Sequence, residues 1–287
     1  CVKSEFLWKA LSRLKNTNAQ GEYYLTDLVK IAASQKLKVS GYKTKDSDEI
    51  LGVNDRVQLH DINEILRQRT NLSLMKRGVT IVGSDSVYIS PTVKIGADTT
   101  VYPGTQKYGD SVIGGGAVIG PSVWIENSRF GENVTVRAGC YIVESSVGNN
   151  VTMGPFAHLR PETVVSDGAR IGNFVEIKKS RIGKGSKVPH LSYVGDAELG
   201  KDVNIGAGTI TCNYDGVNKH RTTIGDNVFI GSDTMLVAPI TVGSVAMTGA
   251  GSTITKDVPD GALDIGRARQ TVIEKWKKKA ASAKGKK

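Results

Sequence analysis

An apolar residue recurs at every sixth position through much of the chain, and this period restricts the possible folds more than any other feature. An α-helix repeats every 3.6 residues and a strand every two, so neither explains a period of six sustained over this length. A hexapeptide repeat explains it, because each unit makes one short strand and one turn. The two uninterrupted runs are Val147, Met153, Leu159, Val165, Ile171 and Ile177, and Ile224, Ile230, Leu236, Val242, Thr248 and Ile254.

Three hexapeptide units close one triangular coil, so residues eighteen apart stack on each other. The pattern therefore places Val147 over Val165 and Met153 over Ile171. Glycine follows many of the apolar residues, as at Gly148, which suits tight turns because glycine tolerates positive φ. We predict a mainly β fold, a parallel β-helix that begins near residue 79. A glycine-rich antiparallel β domain is the alternative.

Residues 1 to about 70 follow a different pattern. The stretch GEYYLTDLVKIAASQK predicts a helix that begins near Thr26 or Asp27, and LKVSGYKTK alternates as a strand does. The stretch NDRVQLHDINEILRQRTNLSLMKRG predicts a long amphipathic helix that Gly78 ends. Helix, strand and helix are a piece of an α/β domain, although one or two strands cannot close a sheet alone.

These patterns divide the chain into three predicted segments. Residues 1–56 are an incomplete α/β segment, 57–77 a linker helix, and 78–287 the hexapeptide β-helix with a basic tail. Because the chain opens on Cys1 rather than methionine, we expect it to be a fragment or a processed piece.

Charge and cysteine content narrow the function classes. The formal net charge is +10, but residues 275–287 hold seven lysines and no acid, which leaves +3 for the rest. A solvated tail is the simpler interpretation and contact with an anionic surface the alternative. No aromatic-interleaved patch supports nucleic-acid binding, so we expect none, and no apolar run suggests a membrane span. Cys1, Cys140 and Cys212 are far apart, which predicts neither a disulfide framework nor a metal site and fits a reducing cytoplasm.

The repeat is interrupted between Ile205 and Ile224, which are nineteen residues apart. The intervening stretch TITCNYDGVNKHRTT is rich in turn formers and poor in inward aliphatics, so it predicts a loop. Loops held by a rigid scaffold often carry function, although a simple insertion is the alternative.

Two cations are placed on one face by the same period. Arg160 and Lys178 are eighteen residues apart, so they should stack one coil above the other, about 5 Å apart. Like charges at that spacing repel unless an anion lies between them, and a phosphate is the natural candidate. Each cation could instead be solvated, His190 could be a surface histidine, and Tyr193 could be packing.

The sequence then resembles a known family. AHLRPETVVSDGARIGNFVEIKKSRIGKGSKVPHLSYVGDAELG and the residues after it, with NAQGEYYLTD and GVNDRVQL nearer the start, are similar to bacterial bifunctional N-acetylglucosamine-1-phosphate uridyltransferase/glucosamine-1-phosphate acetyltransferase. The resemblance runs from about residue 7 to 276. It implies a left-handed coil, cytoplasmic homotrimers with active sites shared between chains, and a nucleotidyltransferase-like origin for residues 1–56.

The resemblance also implies an activity. The acetyltransferase half of that family acetylates glucosamine 1-phosphate with acetyl-CoA. The uridyltransferase half uses UTP and Mg²⁺ to give UDP-N-acetylglucosamine, a cell-wall precursor. The implied residues are His190 as general base; Arg160, Lys178, Tyr193 and Asn204 for the sugar phosphate; Ala207, Asn213, Tyr214, Ser232, Ala250 and Arg267 for acetyl-CoA; and Asn54 for magnesium.

The sequence departs from the family in two places. The glycine-rich nucleotide loop and the magnesium aspartate of the uridyltransferase are absent, so we expect no unaided synthesis of UDP-N-acetylglucosamine. The stretch VGSVAMTGAGS lacks a glycine that is usual before its first alanine, which affects the local turn geometry near the acetyl-CoA end, while Ala250 itself is kept.

The expected chemistry suits these residues. An amine that attacks a thioester must shed a proton, and an imidazole is matched to that task near neutral pH. Direct attack requires no nucleophilic serine or cysteine. Two other functions stay open: a hexapeptide acyltransferase with a different acceptor, and a non-enzymatic trimerising scaffold whose basic tail binds a partner.

Overall fold

The computed structural model describes residues 1–274 and 276, so most of the predicted basic tail, 275–287, lies outside the described residues. The chain divides into two compact units, Cys1–Leu59 and the residues from His60 onward. None of the helices in the described ranges is long and apolar enough to cross a bilayer.

The first unit is helical. It contains α1 (Ser4–Leu11), α2 (Asp27–Ser34) and a short 3₁₀ helix (Ser47–Ile50). The longest helix, α3 (Arg56–Lys76), begins in this unit and ends before Gly78, which has a φ of +89°. The predictions of a helix beginning at Asp27 and of a long helix ended by Gly78 are confirmed.

The strand predicted over LKVSGYKTK is wrong. Within residues 1–59 the structure has helices, turns and extended loops but no strand. A strand must pair its backbone groups with a neighbour, and this unit offers no second strand-forming segment. Residues 1–59 therefore do not have the expected α/β character. The division of the chain at residues 56 and 77 stays a prediction.

Thirty short strands follow α3 in the described residues, each two to four residues long. In chain order they are β1 (Thr80–Ile81), β2 (Tyr88–Ile89), β3 (Lys94–Ile95), β4 (Thr100–Val101), β5 (Gln106–Tyr108), β6 (Val112–Ile113), β7 (Val118–Ile119), β8 (Trp124–Glu126), β9 (Arg129–Phe130), β10 (Thr135–Val136), β11 (Tyr141–Val143), β12 (Ser146–Val147), β13 (Thr152–Met153), β14 (His158–Leu159), β15 (Val164–Val165), β16 (Arg170–Asn173), β17 (Glu176–Lys178), β18 (Arg181–Ile182), β19 (Lys187–His190), β20 (Tyr193–Gly195), β21 (Ala197–Leu199), β22 (Asn204–Ile205), β23 (Ile210–Cys212), β24 (Thr222–Ile224), β25 (Phe229–Ile230), β26 (Met235–Val237), β27 (Ile240–Val242), β28 (Met247–Thr248), β29 (Thr253–Ile254) and β30 (Leu263–Asp264).

The strands form three parallel sheets, which we call face 1, face 2 and face 3 after the strands that begin them, β1, β2 and β3. Up to β29 the chain visits the three faces in turn, so each strand pairs with the strand three places along. One circuit is one triangular coil. The predicted mainly β architecture, a parallel β-helix of hexapeptide repeats, is confirmed.

The inward positions match the sequence pattern. Val147 pairs with Val165 and Met153 pairs with Ile171, as the period predicts. All twelve residues of the two runs are buried, with at most 5% of any one exposed. Burial of one such aliphatic side chain contributes about 1.5–3 kcal/mol, so these stacked columns dominate the stability of the coil.

Helix α3 closes the first coil. Leu74 is fully buried in the core cluster, and the side-chain amide of Asn71 donates to the carbonyl oxygens of Ser84 (3.2 Å) and Val87 (3.1 Å). A stack of coils would otherwise expose apolar surface and unpaired backbone groups at its end. The sequence predicted this helix but gave no sign of its capping role.

One inward position holds a lysine. Lys107 on β5 stacks between Ile89 and Ile125, is completely buried, and has no hydrogen-bond partner for Nζ among the described residues. Burial lowers the pKa of this amine from 10.5 to about 7. The cause is desolvation, which penalises the charged form.

Lys107 should make the stability of the fold depend on pH. Between about pH 7 and 10.5 the unfolded chain binds a proton that the folded chain does not, so stability rises with pH across that window. The penalty at neutral pH is about 3–5 kcal/mol. Lys107→Met should therefore raise the melting temperature at pH 7 by several degrees and remove this rise.

Thermal unfolding followed by circular dichroism at pH 7 and pH 9.5 measures both effects. Lys94→Met, at an exposed position on β3, is the matched control and should change neither. An unchanged pH dependence in Lys107→Met would contradict the assignment.

Candidate active site

His190 ends β19 at the corner between face 1 and face 2. Its imidazole is exposed, and Nδ1 lies 2.6 Å from Oδ1 of Asn173, at the same corner one coil earlier. The carbonyl oxygen of His190 accepts a hydrogen bond from Oγ of Ser192 (2.8 Å). The imidazole therefore projects from a corner where β19 pairs with β16 and where Ser192 binds the carbonyl group of His190.

Four of the residues expected to bind acetyl-CoA lie at the same corner in the coils that follow His190. Successive coils are joined there by hydrogen bonds, and Ala207, Ser232 and Ala250 each supply a carbonyl oxygen. The contacts are Gly208 N to His190 O (3.4 Å), Asp233 N to Ala207 O (2.7 Å), Gly251 N to Ser232 O (2.8 Å) and Arg267 Nη1 to Ala250 O (2.9 Å). We call this set, from His190 to Arg267, the corner column.

Asn204 lies apart from this column. It begins β22 on face 1, where it pairs with Lys187 below and Phe229 above. Asn204 is thus three residues before Ala207, on the flat face rather than at the corner. No hydrogen bond joins Asn204 to His190 among the described residues.

Arg160 and Lys178 lie in successive coils at the end of face 2 that is farther from His190. Arg160 N donates to the carbonyl of Ile177 (2.8 Å), so the two cations occupy successive coils, as their spacing predicts. Each has a carboxylate partner: Arg160 Nη1 lies 2.8 Å from Glu176, and Lys178 Nζ lies 3.5 Å from Asp196. Within the chain the anions beside the two cations are therefore carboxylates, and the predicted phosphate between them stays a prediction.

The sequence reasoning missed a third cation, Lys219. A hydrogen bond with Lys219 and the carboxylate of Asp196 raise the pKa of Lys178, whereas Lys178 lowers the pKa of Lys219. The physical cause is that two ammonium groups in contact repel, so one of them gives up its proton more readily. Arg160, Lys178 and Lys219, with their two carboxylates, form what we call the cation cluster.

The predicted interruption of the repeat is a hairpin-like loop that carries Lys219. Asn213 starts it, and its side-chain amide donates to Asp196 and, at 3.5 Å, to the hydroxyl of Tyr193. Tyr214 pairs antiparallel with Lys219, and the phenol of Tyr214 is exposed. The loop is thus attached to the cation cluster at both ends.

The tip of this loop is organised by Asp215. Its carboxylate accepts hydrogen bonds from the backbone of Asn218 (2.6 Å) and Val217 (2.8 Å) and contacts Nε2 of His220 (2.7 Å). These contacts, led by Asn218 and His220, lower the pKa of Asp215 to about 2. Asp215 therefore stays ionised throughout the physiological pH range and can accept these hydrogen bonds there.

Tyr193 lies between the two groups of residues. It begins β20, three residues after His190, and pairs with Glu176. Its ring covers Gly195, where a β-carbon would lie only 2.4 Å from the phenolic oxygen. Glycine at 195 is thus required for the tyrosine to lie flat along face 2.

His190 and the cation cluster lie at opposite ends of face 2 within one chain. Lys178 pairs with Gly195, which is five residues beyond His190. At about 3.3 Å per extended residue, the two ends are separated by up to about 16 Å along the face. One chain therefore brings the predicted residues together in two groups rather than in one cleft.

Asn54 is not part of either group. It is exposed, and its backbone N–H donates to Oε1 of Gln58 (2.7 Å). No cluster of three or more His, Cys, Asp or Glu that could hold a metal occurs in the described part of the chain. A single amide does not fit a magnesium site, which needs several oxygen ligands. The role of Asn54 stays a prediction.

Curated proteins offer clear relatives of this chain. It is 49% identical over 279 residues to the bifunctional protein GlmU of Geotalea uraniireducens and 51% identical over 276 residues to GlmU of Heliobacterium modesticaldum. These matches cover 97% and 96% of this chain and 61% and 60% of those proteins. The chain is similar to GlmU over almost all of its length. It spans about 60% of the length of the GlmU proteins it matches.

The similarity of this chain to other proteins is weaker than its similarity to GlmU. No protein-family model matches the chain. The UDP-N-acetylglucosamine acyltransferase of Campylobacter jejuni is 17% identical, with a TM-score of 0.41, over 65% of this chain and 71% of that one. The polysialic-acid-specific acetyltransferase NeuO is 16% identical, with a TM-score of 0.29, over 71% and 88%. These scores are too low to compare individual sites.

The contacts of Asp196 generate a prediction about the loop. Asp196→Asn removes the negative charge that pairs with Lys178 and accepts from Asn213, so the loop should detach more often. Backbone amides of residues 214–219 should exchange with deuterium about three to ten times faster. Hydrogen exchange by mass spectrometry measures this, with Glu162→Gln as the control at the exposed pair with Lys179. Equal exchange in both variants would contradict the anchoring role.

Proposed function

We propose that the chain transfers the acetyl group of acetyl-CoA to the amine of glucosamine 1-phosphate, giving N-acetylglucosamine 1-phosphate. The observation that carries this proposal is the corner column, in which the expected acetyl-CoA residues rise coil by coil from the expected base, His190. The similarity to GlmU over 97% of the chain supports it.

In this mechanism His190 takes the proton. The amine nitrogen attacks the thioester carbonyl, a C–N bond forms and the C–S bond breaks. Nε2 of His190 accepts the proton that the amine loses and can return it to the departing thiolate of CoA. No covalent enzyme intermediate is required. Positioning of the amine against the thioester supplies much of the rate.

The cation cluster would hold the acceptor. Arg160 can give a forked contact to the phosphate, while Lys178 acts as a point charge. The cluster has three cations and two carboxylates, so its net positive charge favours the binding of an anion. Tyr193, on the same face, and Asn204 would contact the sugar.

Acetyl-CoA would lie along the corner column. Ala207, Ser232 and Ala250 place small side chains beside it, so the backbone can be approached closely, and Arg267 offers a cation to the phosphates of CoA. Asn213 and Tyr214, on the loop, would complete this site.

We propose a homotrimer in which each site is shared between neighbouring copies. The separation of His190 from the cation cluster within one chain supports this. So does an apolar ridge beside His190, made by Phe156, Phe174 and Leu191. Each is more than half exposed, and the two rings stack at 5.5 Å. A cyclic head-to-tail contact would cover the ridge and bring the two groups together.

The product would serve the synthesis of UDP-N-acetylglucosamine and of the cell wall, and we propose that the chain acts in the cytoplasm of a bacterium. The Mg²⁺-dependent uridylyl transfer of the family is not assigned to the described residues. No nucleic-acid partner is needed for this reaction.

A hexapeptide acyltransferase with an unphosphorylated acceptor is the second candidate. The observation that favours it is that Glu176 and Asp196 already pair with the two predicted phosphate anchors. Initial rates with glucosamine and with glucosamine 1-phosphate decide between the two, since a preference for glucosamine excludes the phosphate site.

Removal of the base should abolish the reaction. We expect His190→Ala to lower kcat by about 10²–10⁴ with little change in KM, because proton transfer to a positioned base contributes about that much. Release of free CoA thiol from acetyl-CoA and glucosamine 1-phosphate measures it. His60→Ala, an exposed histidine on α3, is the control. Survival of the rate within a few fold would exclude His190 as the base.

Shared sites can be tested by mixing inactive chains. His190→Ala and Lys178→Ala chains, refolded together or co-expressed, should recover about a quarter of wild-type activity, because a random mixture pairs an intact base with an intact cluster at that frequency. Each variant alone should stay inactive. A mixture no more active than its components would place each site within a single chain.

A further inference from the structure

The contact between His190 and Asn173 has a local cause in the coil. The two residues are in register at the ends of β19 and β16, seventeen residues apart. Their side chains therefore leave the same corner side by side, and Nδ1 comes to 2.6 Å from Oδ1.

The backbone fixes this pair on both strands. At Gly172 a β-carbon would lie 1.6 Å from the carbonyl oxygen of Pro189, so only glycine permits the two strands to approach so closely. Leu191 N donates to the carbonyl of Asn173 (3.1 Å), and Ser192 Oγ donates to the carbonyl of His190. The backbone from which each of the two side chains projects is thus fixed by contacts between the coils.

We propose that Asn173 is a positioning residue that selects the tautomer of His190. Its amide oxygen can only accept, so Nδ1 carries the proton and Nε2 keeps its lone pair. Nε2 has no partner among the described residues, so it is available for the substrate proton. This inference rests on the proposed acetyl transfer.

An amide suits this task better than a carboxylate at this corner. A carboxylate on Nδ1 would favour the charged imidazolium, which cannot act as a base. The neutral amide orients the ring without that charge. In an Asp–His pair the carboxylate would keep the ring protonated to a higher pH than the amide does.

The experiment compares Asn173→Ala with Asn173→Asp. Asn149→Ala is the matched control, because the Asn149 oxygen also accepts a hydrogen bond between coils, from Glu132 N, but at a different corner. Steady-state rates across pH 5.5–9 are measured for each chain. The tautomer is read independently from long-range ¹H–¹⁵N spectra of ¹⁵N-histidine-labelled protein.

Asn173→Ala should lower kcat about tenfold to a hundredfold, with both KM values within about threefold, and should remove the single Nδ1–H tautomer. Asn173→Asp should keep that tautomer, recover part of kcat above pH 8 and move the acidic limb of the profile up by about one pH unit. The control should match wild type in both readouts.

Several results would overturn the proposal. Wild-type kcat and tautomer in Asn173→Ala would do so, as would an unmoved acidic limb in Asn173→Asp. A wild-type Nε2–H tautomer would show that the amide nitrogen faces the ring. If the wild-type chain acetylates no acceptor but Asn173 still fixes the tautomer, the proposed function has failed and the contact is structural only.

Discussion

The hydrogen bonds between successive coils are the constraint on which the rest of this structure depends. Each strand is two to four residues long and has no independent stability, so its backbone groups are satisfied only by the coils above and below. Pairing in register then forces like positions to stack. Val147 over Val165 is one such column, and His190 beside Asn173 is another. The same ladder builds the core and the candidate site.

The period explains what the sequence could and could not predict. Inward columns were predictable because every coil repeats the same apolar position, and the stacking of Arg160 and Lys178 followed from a separation of eighteen. The side chains that contact His190 and Lys178 were not predictable. Asn173 and His190 are seventeen residues apart, because some coils have one residue fewer, and Lys219 reaches Lys178 only through a loop outside the period. Such irregular offsets leave no pattern to read.

One missed residue and one wrong prediction have the same origin. Lys107 interrupts the apolar pattern of the inward positions, so the pattern gave no prediction for it, yet the register of β5 places it between two isoleucines. The stretch LKVSGYKTK alternates as strands do, but alternation describes only a preference, and no neighbour is present to pair with it. In both cases the tertiary partner, rather than the local residues, decided the outcome.

On the proposed function, the rigidity of the coil links catalysis to assembly. A flat face cannot bend its two ends together, so His190 and the cation cluster stay about a face apart in any one chain. Only another copy can bring a base to the phosphate anchors. The fixed corners then become an advantage, because the imidazole with its amide and the cations with their carboxylates are each ordered before assembly. Docking the ridge of Phe156, Phe174 and Leu191 would then align two preformed halves at little further entropic cost.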